Sequence, residues 1–171
     1  MRLLLPIFII IQLIFGCSNN QHQQTETLKT EVVDSMVAVV NDTSFLKFIT
    51  TPPVKTWEPD SADWKLIDKI LRKADSEGIF DFLKKPTLQS MKRYYRQYAF
   101  YINDEGQRIV YINALCEILQ YPEETAKGII WQKDDWKNTI NLVLDGGPCY
   151  WQVKINLTEQ DYFDFSVNGE A

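Results

Sequence analysis

Cys149-Tyr150-Trp151-Gln152-Val153-Lys154-Ile155-Asn156-Leu157 is the stretch that decides the fold. Cys149, Trp151, Val153, Ile155 and Leu157 alternate with Tyr150, Gln152, Lys154 and Asn156, and a period of two sends successive side chains to opposite faces of a strand. One face is apolar throughout, so this strand must lie in a sheet with a covered side. Just upstream, Asp145-Gly146-Gly147-Pro148 reads as a turn, its glycines supplying positive φ. Before the turn, Ile140, Leu142 and Leu144 alternate with Thr139, Asn141 and Asp145. After Leu157, residues 158–161 lead to Phe163, Phe165 and Val167, which alternate with Tyr162, Asp164 and Ser166. Each pattern predicts a further strand.

Working outward, residues 91–103 and 107–118 are aromatic and β-branched runs joined by Asp104-Glu105-Gly106, a hairpin connection. In the second run Val110, Ile112, Ala114, Cys116 and Ile118 share one face, while Ile109, Tyr111 and Leu115 make the other face apolar too. Residues 58–78 carry a helical period, with Trp64, Ile67, Ile70, Leu71 and Ala74 on one side. Asp60 or Ser61 suits the cap, Asp63 the positive first turn, and Gly78 the stop. The expected fold class is α+β: an amphipathic helix laid on an antiparallel meander of about five strands. Residues 31–54 mix β-branched runs with Asn41-Asp42 and Pro52-Pro53, and read as a short helix or an edge strand. Residues 120–137 form a long connection, of the kind that often carries function.

The chain has 171 residues, 18 basic against 23 acidic, and a net charge of −5. That length fits one folded domain, over residues 31–171. Its densest basic cluster is only Lys92, Arg93 and Arg96, too little to neutralise a row of phosphates, so nucleic acid is excluded as a partner. A helix on an antiparallel meander resembles the cystatin-like and NTF2-like architectures, an analogy of fold alone.

Met1-Arg2 followed by the apolar run of residues 3–15 has the layout of a signal peptide, residues 1–16. A helix of that run is about 20 Å long, short of the roughly 30 Å hydrocarbon core. Leu13-Ile14-Phe15-Gly16-Cys17 resembles the lipobox of bacterial lipoproteins, with Phe15 bulkier than that pattern usually carries. The resemblance implies lipidation of Cys17, cleavage before it, and a membrane partner reached through acyl chains, more than one chain being needed for firm anchoring. Ser18 follows where Asp would signal inner-membrane retention, so the resemblance places the protein at the outer membrane facing the periplasm. Residues 18–30 hold a single apolar residue, Leu28, and read as a tether that also carries the chain's one histidine, His22. Tyr111-Ile112-Asn113, Asp145-Gly146-Gly147, Trp151 and the terminal Phe165-Ser166-Val167-Asn168-Gly169-Glu170-Ala171 resemble a family of small uncharacterised Gram-negative envelope lipoproteins. That resemblance implies fold and location, and no mechanism.

With Cys17 assigned to lipid, Cys116 and Cys149 remain, either joined in a disulfide or packed as two buried thiols. No histidine falls within residues 31–171, which removes Ser-His-Asp and Cys-His hydrolases and histidine-ligated metal sites. No nucleotide-binding or metal motif occurs, and no cofactor is expected. Asp134-Asp135 and Glu123-Glu124 lie in the 120–137 connection near Trp131 and Trp136, and a carboxylate pair beside tryptophans suits glycan binding or glycoside cleavage, an alternative centred on Asp134, Asp135 and Trp131. Tyr95 and Tyr101 belong to a strand whose aromatics occupy both faces, so some either reach an interface or lie under a second covering layer. Tyr95, Tyr101, Trp131, Asp134, Asp135 and Trp136 are thus the candidate binding surface of a non-enzymatic module that takes an envelope protein or a glycan as its partner.

Overall fold

The computed structural model describes residues 35–169; the leader, Cys17, the tether with His22 and the start of the 31–54 stretch lie outside the described residues. Among the described residues the elements are β1 (Val37–Val39), α1 (Thr43–Leu46), β2 (Lys55–Thr56), α2 (Ser61–Ser76), α3 (Thr87–Met91), β3 (Tyr95–Ile102), β4 (Arg108–Leu115), β5 (Gln120–Thr125), β6 (Gly128–Lys133), β7 (Tyr150–Asn156) and β8 (Asp161–Val167).

The ends of α2 follow from its sequence. Asp60 accepts hydrogen bonds from the backbone N–H groups of Ala62 at 2.7 Å and Asp63 at 3.0 Å, while Asp63 accepts one from the N–H of Asp60 at 3.1 Å. This reciprocal box satisfies donors that a helix start leaves open. At the other end Gly78 takes φ +82°, and the N–H of Ile79 reaches back to the Ala74 carbonyl at 3.1 Å. A side chain at Gly78 would be strained in that left-handed conformation.

The fold is α+β, with a mostly antiparallel main sheet ordered β1-β3-β4-β7-β8. β1 runs parallel to β3, with Val37 beside Arg96, and β2 pairs antiparallel farther along the same edge. The 31–54 stretch therefore supplies both of the structures its mixed signals suggest, an edge strand and then a short helix. On one face of the sheet Ile67, Ile70 and Ala74 of α2, with Phe80, Leu83 and Met91, cover Tyr98, Phe100, Val110, Ile112, Trp151, Val153 and Ile155. On the other face Phe45, Leu46, Trp136 and Ile140 cover Ala99, Tyr101, Ile109 and Tyr111. Two covered faces explain why β4 is apolar on both sides.

Three expectations need correction. Residues 139–145 are not a strand; the alternation there ends in Leu142 and Leu144, both exposed. The 120–137 connection is not irregular throughout, because β5 and β6 form a separate two-stranded sheet. Finally, Ile118 does not share a face with Val110, because β4 stops at Leu115 and Ile118 packs into the opposite layer. At that strand end Cys116 and Cys149 are joined in a disulfide with Cα atoms 4.9 Å apart.

Candidate functional site

The β5–β6 ribbon is a register of facing pairs, from Gln120 opposite Lys133 to Thr125 opposite Gly128. Its turn is closed locally: the Thr125 hydroxyl donates to the Gly128 carbonyl at 2.7 Å and accepts from the N–H of Lys127 at 3.3 Å. Gly128 sits at φ +113°, where other residues are strained. Along the ribbon the Gln132 amide donates to Glu123 at 2.8 Å. Paired residues share a face, so Pro122, Glu124, Ile129 and Trp131 lie on one side, and Tyr121, Glu123, Ile130 and Gln132 on the other. Trp131 is 66 % exposed, Ile129 65 %, Tyr121 49 % and Ile130 43 %. Large apolar side chains therefore stand in solvent on both faces of an element that is itself exposed nearly throughout.

The foot of the ribbon is fixed by a buried polar cluster. The Gln97 amide donates to the carbonyls of Trp136 and of Thr139, the latter at 2.7 Å, and its oxygen accepts from the Asn113 side chain at 2.8 Å and the Asn141 N–H at 3.0 Å. Asn113 also donates to the Asn141 carbonyl at 2.8 Å. Side chains thus satisfy the backbone of residues 136–141 where a strand ladder otherwise would. Asp134 belongs to the same clasp, accepting from the Asn141 amide at 3.2 Å. Asp135 accepts from the Asn138 amide at 2.8 Å and from two backbone N–H groups through its own carbonyl. Both carboxylates are thus engaged in hydrogen bonds within the 134–141 segment.

The six predicted surface residues consequently separate. Trp131 stands on the ribbon, while Asp134 and Asp135 shape its foot. Tyr101 and Trp136 are core residues and not surface residues, because the 134–141 segment and α1 cover the second face of the sheet. Tyr95 is partly buried and meets Trp136 edge-on with ring centroids 5.1 Å apart. Burial pushes the Tyr101 hydroxyl up to about 12 and raises that of Tyr111 as well, so both stay neutral.

Sequence reasoning missed a groove of about 490 Å³ at the β3–β4 turn, walled by Phe48 and Phe163, floored by Tyr101 and Ile109, and rimmed by Asp104 and Glu105. The Lys154 ammonium at its side is bound to Asp164 at 2.9 Å and lies 5.7 Å from the Phe163 ring centre. The exposed Phe48, one of three aromatics in residues 45–57, was the signal available for it. Among the described residues no three His, Cys, Asp or Glu side chains gather as a metal site, and no helix is long and apolar enough to cross a membrane. The chain matches no family model, no curated protein and no solved structure.

Proposed function

We infer that the chain is a lipid-anchored domain of the bacterial envelope that works by binding a protein, with the β5–β6 ribbon as the element that makes contact. One observation carries this: Tyr121, Ile129, Ile130 and Trp131 are exposed together on a single projecting ribbon. An isolated two-stranded ribbon is marginal in water, and clustered exposed apolar side chains mark binding surfaces. Tryptophan and tyrosine suit such a role, since each joins apolar area to a hydrogen-bonding tip. Binding is favoured over catalysis because Asp134 and Asp135 are engaged in turn-forming hydrogen bonds. The lipobox-like sequence ending at Cys17 supports anchoring, and Ser18 supports an outer-membrane position facing the periplasm.

Photo-cross-linking in cells tests the binding element. A benzoylphenylalanine at position 131 is expected to give discrete protein adducts, and one at Lys65 on the exposed side of α2 is not. Equal patterns from the two positions would overturn the assignment of the ribbon. Anchoring is tested separately: Cys17→Ala is expected to lose acyl label and leave the membrane fraction, and retention of both would refute it.

A further inference from the structure

The ribbon has two outer edges, and its ladder fixes which backbone groups each presents. The Asp134 N–H donates to the Leu119 carbonyl at 3.0 Å, and hydrogen-bonded and non-hydrogen-bonded pairs alternate along an antiparallel ladder. The ribbon's own bonds therefore fall at 121/132, 123/130 and 125/128. Gln120, Pro122 and Glu124 on β5, and Ile129, Trp131 and Lys133 on β6, turn their main-chain groups outward. On β5 the central position is proline, which has no N–H and breaks the donor row, a common protection for an edge. On β6 the row is unbroken, and among the described residues no backbone partner takes it up. The outer strand of the main sheet is different: the β7–β8 register shifts between Gln152 and Lys154, and Asp164 lies at φ +48°, which interrupts that edge.

We propose that the open β6 edge binds a second copy of this chain, β6 against β6 and antiparallel, about a two-fold axis through Trp131. This rests on the ribbon being the binding element. Charge favours a second copy in this register. β6 carries no acid, and its one lysine, Lys133, falls opposite Ile129 of the second copy, while Trp131 faces its own twin. The row across the strands then runs Glu124, Ile129 and Lys133 of the second copy, setting carboxylate and ammonium two strand spacings apart, about 10 Å, with an isoleucine between them for their long stems to cross. One neighbouring register, centred on Ile130, would place Lys127 opposite Lys133, like charge against like. Such an interface falls below about 1,000 Å², so association is weak and depends on concentration.

Sedimentation equilibrium of the full chain in density-matched detergent, from about 1 µM to about 1 mM, is expected to show a reversible monomer–dimer equilibrium. Ile129→Pro deletes an outward N–H while leaving the ribbon's own bonds intact, and is expected to weaken association about tenfold with an unchanged thermal midpoint. Lys133→Glu weakens it several-fold by setting a carboxylate across Ile129 from Glu124 of the other copy, and the double exchange Glu124→Lys with Lys133→Glu restores it. A chain that stays monomeric throughout overturns the proposal, as does a double exchange that fails to restore a weakened Lys133→Glu. The photo-cross-linker at 131 separates this from the broader reading. A homodimer adduct supports the second copy. An adduct to a different protein from a monomeric chain overturns the second copy but leaves the ribbon a binding element, and the absence of any adduct removes both.

Discussion

Gln97→Leu tests whether the buried clasp holds the second layer on the sheet. Gln97 is fully buried, and its amide serves two carbonyls, one backbone N–H and the Asn113 side chain. Leucine fills similar volume but satisfies none of them. Each buried group left without a partner costs about 1–3 kcal/mol, and the Trp136 and Thr139 carbonyls with the Asn141 N–H are the three left most exposed to that loss. The upper sum is not reached, because the 134–141 segment can lift off and let water in. Lifting exposes Trp136 and Ile140, each about 1.5–3 kcal/mol of burial. By either route the loss is about 3–6 kcal/mol, a large part of the 5–15 kcal/mol typical of a domain. Urea unfolding followed by tryptophan fluorescence, with the disulfide intact, measures it. A reduced m-value would mark detachment, since the folded state would then already expose surface. A loss under about 1 kcal/mol with an unchanged m-value refutes the clasp.

Reducing Cys116–Cys149, which lie 33 residues apart in sequence, is expected to cost about 3–4 kcal/mol, read as the shift in urea midpoint with and without reductant. At high pH the domain should weaken through its tyrosines. Burial raises the Tyr101 hydroxyl to about 12 and raises Tyr111 too, above the value of about 10 in an unfolded chain. That stability is complete below pH 10 and is lost as pH rises through about 12, to the extent of roughly 2–3 kcal/mol for Tyr101; a flat unfolding free energy up to pH 12 would count against it. Gly146→Ala sets a Cβ 2.6 Å from the Tyr150 ring at φ +87°, and should lower stability by about 2 kcal/mol in thermal or urea unfolding.

How legible the chain was depends on where each segment's polar groups find their partners. α2 carries its own caps in Asp60, Asp63 and Gly78, and β7 carries a strict period, so both can be read locally. Residues 139–145 also alternate, yet Asn141 is bonded to Gln97 and Asn113, which come from strands far away in sequence. Period alone cannot tell a ladder from such a clasp. Tyr101 and Trp136 looked like surface aromatics because nothing local announces that one covers the other's face. The available signal was Gln97 and Asn113 themselves, polar residues at positions where Ala99 and Tyr111 mark a buried face. The 120–137 connection does not read as two strands because large apolar side chains stand on both of its exposed faces, which erases any period of two.

The disulfide joins the chain just after β4 to the chain just before β7, two strands already adjacent in the sheet. Everything between, the ribbon and its clasped foot, leaves and returns at one riveted point. Loop closure becomes costlier only slowly with length, so the ribbon can be lengthened, trimmed or exchanged while the register of β4 on β7 stays put. What the inserted ribbon presents can in that sense change without disturbing how the main sheet folds.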